Sequence, residues 1–357
     1  MHSDIKVSTI EKSRIAELDF NNIPFGKVFA DHMFVADFDG KQWKNFEICP
    51  LHKIPFHPAT MAWHYGQAIF EGMKAGINDE GMPLLFRPHK HAERLNKSAV
   101  RMCMPEFPVD LFVDALKELV WMDRAWIPKD EESALYIRPV MMATDEFVGV
   151  RSSDTFKLMI MNLPSGPYYN KPVGLYVADK YVRAAEGGVG YAKAAGNYGA
   201  SLYPTKLAKE LGYDQVMWMD AKEFKYVQEV GTMNIFFVLK DKIITPDLTG
   251  TILDGVTRDS VIQLLRKKGH IVEEKHVSMD EISNAHSKGE LLEVFGTGTA
   301  AVIAHVDRIG FHGHDLKLDP ANWNLSKLMK SEINGIRKGR VTDYYNWVVP
   351  VKQEVTV

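Results

Sequence analysis

Apolar residues recur at three- and four-residue steps from His89 to Arg101 and again from Val109 to Met122. That spacing lays one apolar stripe along a helix, so both segments are predicted amphipathic helices. From Met61 to Gly76 the spacing is mixed, with Gly72 and Gly76 near the end, which predicts a short helix leading into a strand. Ala134 to Met142 and Phe156 to Leu163 are short, nearly continuous apolar runs of the kind that forms buried strands. Pro164 to Pro172 breaks both periodicities with three prolines and a glycine, and reads as a linker. Beyond it, strand-like runs (GLYVADKYV, DQVMWMD, NIFFVLKDKIITP, LLEVFGTG) alternate with helical stretches at Leu202 to Leu211 and Asp259 to Lys268. Asp79-Glu80-Gly81 and Lys240-Asp241-Lys242 read as hairpin tips, so antiparallel pairing is expected and a purely parallel sheet is not. The fold class is therefore α+β, with two α/β-type domains carrying mixed or antiparallel sheets. Residues 1–166 form a smaller N-terminal domain, 167–174 the linker and 175–357 a larger C-terminal domain.

Composition narrows the function. Apolar residues make up 46% and charged residues 25% of 357, a balance that suits a packed chain and excludes extensive disorder. Forty-three Lys and Arg against 46 Asp and Glu leave a net charge of −3, so no global positive field supports binding to nucleic acid. Cys49 and Cys103 form neither a CxxC motif nor a metal-type spacing, which fits reduced thiols. Met1 to Phe20 lacks the apolar core of a signal peptide, and no apolar run reaches about 18 residues. The expectation is a cytoplasmic, soluble protein with no membrane partner and no metal.

Three glycine-containing segments are candidates for chemistry. GGVGYAKAAGNYG, Gly187 to Gly199, surrounds Lys193 with small side chains that let a bulky group approach the backbone. Burial would lower the pKa of such a lysine and favour the neutral amine that Schiff-base chemistry needs; an exposed loop lysine fits the same letters. Glu229 precedes a Gly-Thr turn and an apolar strand, where its carboxylate lies at a strand end; on its own this reads better as a solvated turn residue. Gly296-Thr297-Gly298-Thr299 stands between an apolar strand and an Ala-rich segment read as a helix start. Its N–H groups and hydroxyls suit an anion, and equally a plain strand-to-helix turn. Thr257 in LDGVTRDS reads as a helix N-cap or as part of a second anion cradle.

Seven motifs in order give these segments a shared meaning: FEGMKAG (from Phe70), LFRP (from Leu85), LYIRPV (from Leu135), GGVGYAKAAGNYG, EVGTMNIF (from Glu229), GVTRDS (from Gly255) and EVFGTGTA (from Glu293). Over nearly its whole length the chain resembles the branched-chain amino-acid aminotransferases, pyridoxal 5'-phosphate enzymes of fold type IV. The resemblance implies reversible transamination of L-leucine, L-isoleucine and L-valine with 2-oxoglutarate, giving branched-chain 2-keto acids and L-glutamate. It implies that Lys193 forms the Schiff base with the cofactor and moves the proton from substrate Cα to cofactor C4′. Glu229 matches the residue at the pyridine nitrogen, and Tyr198 the residue at the cofactor O3′. Arg94, Val256, Thr257 and Thr299 match the phosphate contacts; without the motif, Arg94 reads as one charge on a solvated helix face. Tyr65, Phe70, Tyr136 and Tyr168 match an aromatic pocket wall, while Arg138, Tyr136 and the Thr299-Ala300 backbone match recognition of the substrate α-carboxylate. A homodimer is implied.

Two departures stand out. Ala301 and Ala304 occupy the positions of a redox CxxC found in mammalian relatives, and Leu253-Asp254-Gly255 replaces a Leu-Pro-Gly turn. Sister activities on the same scaffold, D-amino-acid aminotransferase and 4-amino-4-deoxychorismate lyase, are the alternatives. A catalytically silent binding protein is a third.

Overall fold

The computed structural model describes residues 5–352; the extreme ends of the two expected domains lie outside the described residues. The chain divides into two compact units: one takes the residues up to Tyr168, Ala192–Ala195 and those from Asn334 on, the other Tyr169–Tyr191 and Gly196–Ile333.

In the first unit the order is β1 (Lys6–Val7), β2 (His32–Phe38), β3 (Trp43–Pro50), α1 (Met61–Tyr65), β4 (Ala68–Phe70), β5 (Met73–Ile77), β6 (Pro83–Phe86), α2 (Pro88–Arg101), α3 (Val109–Met122), β7 (Ala134–Ala143) and β8 (Phe156–Ser165). The sheet runs β1-β3-β2-β8-β7-β5-β6, and β4 also pairs with β7. All its pairings except β1 with β3 are antiparallel, including the β5–β6 hairpin around the expected tip at Asp79-Glu80-Gly81. Pro88 opens α2 at a position where a missing N–H costs nothing. Phe112, Ala115, Leu116, Leu119 and Val120 make the buried stripe of α3, and this stripe joins the core of the unit with Leu95, Leu135, Ile137 and Ile160.

The second unit holds β9 (Val173–Val177), α4 (Ala195–Ala200), α5 (Leu202–Glu210), β10 (Gln215–Met219), β11 (Tyr226–Val230), β12 (Asn234–Leu239), β13 (Ile243–Pro246), α6 (Val256–Lys267), β14 (Val272–Lys275), β15 (Val277–Ser278), α7 (Met279–Ser287), β16 (Leu291–Gly298), β17 (Val302–Phe311), β18 (His314–Lys317) and most of α8 (Leu325–Arg337). Its sheet runs β14-β13-β12-β16-β17-β9-β10-β11-β15. Parallel pairs (β9 with β10 and β17, β13 with β14) sit among antiparallel ones, so the sheet is mixed. The β12–β13 hairpin turns at the expected Lys240-Asp241-Lys242.

The expected domain limits differ from this division. The linker expected at 167–174 ends earlier, because β9 begins at Val173, and Pro164 and Ser165, the first residues of the proline-rich stretch Pro164 to Pro172, belong to β8. The expected continuous 175–357 domain gives up two pieces to the first unit. Ala194 bridges to Ile69, and a last strand, β19 (Val348–Pro350), pairs antiparallel with β6. Such long-range pairings leave no mark in a local pattern.

The Ala-rich segment after Gly298 is a correction. It starts no helix: Gly298 pairs with Val302, and Thr299-Ala300-Ala301 is the three-residue connection of the β16–β17 hairpin. β-branched Val302, Ile303 and Val306 outweigh the alanines, and all three are buried.

Candidate functional site

In the first unit, Lys193 is held by main-chain contacts on either side. Its N–H donates to Ser98 Oγ at 2.9 Å, its carbonyl accepts from the Phe70 N–H at 3.1 Å, and Ala194 completes the bridge to Ile69. The side chain is half-buried, with Nζ 4.8 Å from the centre of the Phe70 ring. The Arg138 guanidinium lies over the same ring, also at 4.8 Å. Arg138 donates from Nη2 to the Tyr136 hydroxyl at 3.0 Å, and its Nε is buried with no hydrogen-bond partner. Alternation along β7 puts Tyr136 and Arg138 on one face, two residues apart. Gly72 is what admits the tyrosine, since a Cβ there would overlap its hydroxyl. Phe25 packs edge-on against both Tyr136 and Tyr168, at 5.3 and 5.0 Å between ring centres. An amine, a guanidinium and an aromatic wall therefore share one location. Tyr65, at the end of α1, has its ring contact with His64 instead.

Arg94 is not a charge on a solvated helix face. It is buried, its Nε meeting Glu71 Oε1 at 2.7 Å and its Nη2 meeting Oε2 at 2.9 Å. His91, one turn earlier on α2, donates from Nδ1 to Glu71 Oε2 at 2.9 Å, and one turn later Ser98 Oγ donates to the Arg94 carbonyl. One face of α2 thus carries His91, Arg94 and the Ser98 that anchors Lys193. Burial alone would raise the Glu71 carboxyl, but the Arg94 charge and the hydrogen bonds from Arg94 and His91 outweigh it and hold the acid well below the usual carboxylate range. Burial pushes the His91 imidazole down against the pull of Glu71, so the ring is neutral with its proton on Nδ1.

In the second unit, Glu229 is not a solvated turn residue either. It lies within β11 at 2% exposure, opposite Trp218. Oε1 accepts the Leu253 N–H at 2.6 Å, and Oε2 pairs with Arg183 Nε at 3.0 Å. Thr257 is not an N-cap: Gly255 is, with extended backbone and no side-chain cap, which leaves Thr257 second in α6. Val256 and Thr257 therefore form the first turn of a 12-residue helix, the end that favours an anion. Gly255 is pressed against Asn234, whose Nδ2 donates to the Leu253 carbonyl at 3.0 Å, so strand β12, the Leu253 loop and the start of α6 are joined. Thr299 and Ala300 are half-buried in the β16–β17 turn, and the hydroxyl of neighbouring Thr297 is buried without a partner. Tyr198 is half-buried in α4, where its carbonyl accepts from the Ser201 hydroxyl.

Glu71, His91, Ser98, Phe25 and Arg183 were not singled out by the sequence. Glu71 sits inside FEGMKAG, and His91 and Ser98 lie three and four residues from Arg94, so helical spacing held a signal for the last two. Nothing local marks Phe25 or Arg183.

Among the described residues no helix is long and apolar enough to cross a membrane. A family profile described as "Amino-transferase class IV" matches residues 68–309. Branched-chain-amino-acid transaminase 1 of Bacillus subtilis (strain 168) is 47% identical over 339 residues, 93% of this chain and 95% of that protein. The branched-chain-amino-acid aminotransferase of Mycolicibacterium smegmatis is 39% identical over 337 residues, 92% of each chain. Among solved structures, the branched-chain aminotransferase of Thermoproteus uzoniensis with norvaline superposes with a TM-score of 0.75 at 26% identity, covering 90% of this chain and 100% of that one. The PLP-form enzyme of Thermobaculum terrenum gives 0.72 at 28%, covering 91% and 99%. With the seven motifs and both sheets in agreement, the chain belongs to the class IV aminotransferases and, within them, to the branched-chain amino-acid aminotransferases.

Proposed function

We propose that the chain moves the amino group of L-leucine, L-isoleucine or L-valine to 2-oxoglutarate, reversibly, with pyridoxal 5'-phosphate carried on Lys193. The observation that carries this reading is the single Phe70 ring flanked by the Lys193 amine and the Arg138 guanidinium. An amine, a carboxylate-binding cation and an apolar wall are what an amino acid with a branched aliphatic side chain requires. The donor set fits the cofactor as well. A phosphopyridine needs an amine for its aldehyde, an acid for its ring nitrogen and N–H groups with hydroxyls for its dianion. Lys193, the buried carboxylate of Glu229, and the α6 start with Thr257, Arg94 and Thr299 supply them.

When bound, the cofactor supplies the electron sink that stabilises charge developing at the substrate Cα. The Lys193 amine would hold the cofactor aldehyde and, when free, would take up and give back the proton at the substrate Cα. Glu229, as a carboxylate, would hold the ring nitrogen, and Tyr198 would donate to the ring oxygen. Arg138, oriented by Tyr136, takes the α-carboxylate with the Thr299-Ala300 backbone, while Phe70, Tyr65 and Tyr168 exclude water around the side chain. The free thiols of Cys49 and Cys103 accord with a cytoplasmic setting, and the working form is a homodimer.

The test has two arms. With 2-oxoglutarate as acceptor, all three branched-chain L-amino acids turn over well ahead of L-phenylalanine and D-alanine, and aminodeoxychorismate is not consumed. Borohydride reduction followed by peptide mass spectrometry places the cofactor adduct on Lys193, and Lys193→Ala loses turnover by about three or more orders of magnitude. Preference for D-alanine, or an adduct on another lysine, overturns the reading.

A further inference from the structure

Arg183 precedes the glycine-rich loop, its side chain is 6% exposed, and it belongs to no motif named above. Its guanidinium is used on every edge. Nε meets Glu229 Oε2 at 3.0 Å, Nη1 donates to the Thr251 carbonyl at 2.8 Å, and Nη2 donates to the Gly190 carbonyl at 3.0 Å. Three segments of the second unit converge on this one side chain: the strand that carries the acid, the loop that runs through Leu253 into α6, and the glycine-rich loop three residues ahead of Lys193. The junction is tight, because a Cβ on Gly190 would overlap both the Thr251 carbonyl and the Ala184 side chain.

A carboxylate as buried as Glu229 has given up its hydration and stays ionised only with a paired cation and hydrogen bonds. The geometry provides both, Arg183 on one oxygen and the Leu253 N–H on the other. Where such an acid faces a ring nitrogen, a single proton lies between two bases, and the weaker one gives it up. A fixed cation on the far side of the carboxylate lowers the proton affinity of the acid more than that of the more distant nitrogen.

We propose that Arg183 is a positioning residue that acts through Glu229 to hold the proton on the ring nitrogen of the cofactor, while its two carbonyl contacts tie the lysine loop to the α6 loop. This rests on the reading that the chain binds pyridoxal phosphate at Lys193 and Glu229. Arg183→Lys keeps the charge and gives up the planar fork; Arg183→Gln removes the charge.

Each protein is loaded with pyridoxal phosphate labelled with 15N in the ring, and the nitrogen shift is read by NMR. The wild type and Arg183→Lys show the protonated ring, whereas Arg183→Gln shifts towards the neutral value. Arg183→Lys binds the cofactor roughly tenfold more weakly, having lost the carbonyl ties. In Arg183→Gln, kcat for L-leucine falls about tenfold or more while KM stays within about twofold, the split expected when ground-state contacts are intact. The cofactor-free proteins supply a second readout. The infrared band assigned to Glu229 by difference from Glu229→Gln is that of a carboxylate in wild type and Arg183→Lys, and of a protonated acid in Arg183→Gln. A folded Arg183→Gln with a fully protonated ring and an ionised Glu229 overturns the proposal. If Arg183→Gln does not fold, a neutral ring in Arg183→Lys overturns it and a protonated one supports it. If the wild type takes up no pyridoxal phosphate, the cofactor reading fails and the infrared comparison alone decides the role of Arg183.

Discussion

His91 lies against a carboxylate and yet is neutral, because complete burial costs a second cation beside Arg94 more than Glu71 returns. That choice has a sign. The folded imidazole refuses a proton that the unfolded chain accepts below about 6.5, so stability is full above that pH and is lost as pH falls towards the lowered folded value. Glu71 acts in the same direction further down: its carboxyl is depressed in the fold, so its contribution is full above about 4.3 and is lost as the medium becomes more acid. Calorimetric melting of the wild type therefore shows the midpoint falling in two stages on acidification. His91→Asn, which keeps a donor near the Nδ1 position and cannot titrate, removes the upper stage; an unchanged slope between pH 5 and 7 in that variant excludes His91 as its source. The family resemblance names Arg94, but nothing in the letters around it shows that its charge is shared with an acid 23 residues away. Burial and pairing are tertiary facts. For the same reason Glu229 read as solvated when taken alone.

At the scale of elements, the sequence was legible where one period ran unbroken. α2 and α3 match the predicted helices to within a residue, and both hairpin tips turn where charged and glycine residues interrupt apolar runs. The pattern misleads at Thr299 to Ala301, where alanine's helix preference points one way and the β-branched residues that follow point the other. The turn closes with Val302 at a φ of 61°, a conformation β-branched residues rarely adopt and one that no propensity forecasts. The start of α6 shows a second limit. Gly255 is glycine because of Asn234, a residue in another strand, and not because of its own backbone, which is ordinary extended chain. Gly255→Ala forces Asn234 away from the Leu253 carbonyl and loosens the loop whose N–H holds Glu229. Denaturant unfolding of Gly255→Ala is expected to show a loss of about 1–3 kcal/mol. Pairing it with Asn234→Ala, which makes room, gives a combined loss smaller than the sum. Strict additivity shows that the two residues do not meet in the way described.

One surface of the first unit is exposed and apolar. The loop between β7 and β8 carries Phe147, Val148 and Val150 outward, Val150 at 90% exposure, and Arg151 covers only the Phe147 ring. The loop is not loose. Asp145 fastens its base through the N–H groups of Asp154 and Thr155, the Thr155 hydroxyl and Arg151, and Phe147 donates its N–H to the Ala59 carbonyl. Burial acts against Asp145, but these donors together hold its carboxyl down to about 2, so the fastening persists across the physiological range. Trp63 on the neighbouring α1 is 63% exposed. A rigid loop that presents three apolar side chains near an exposed tryptophan is costly in a monomer, and a second copy of the chain is the cover that the family resemblance implies. Val150→Asp places a charge on that patch at its most exposed side chain. Sedimentation velocity is expected to give twice the chain mass for the wild type and to shift Val150→Asp towards a single chain at low micromolar concentration. Far-ultraviolet circular dichroism of the variant should match that of the wild type, which shows that the chain itself is still folded. A wild type that sediments as one chain, or a variant that dimerises as tightly as its parent, takes this surface out of the assembly.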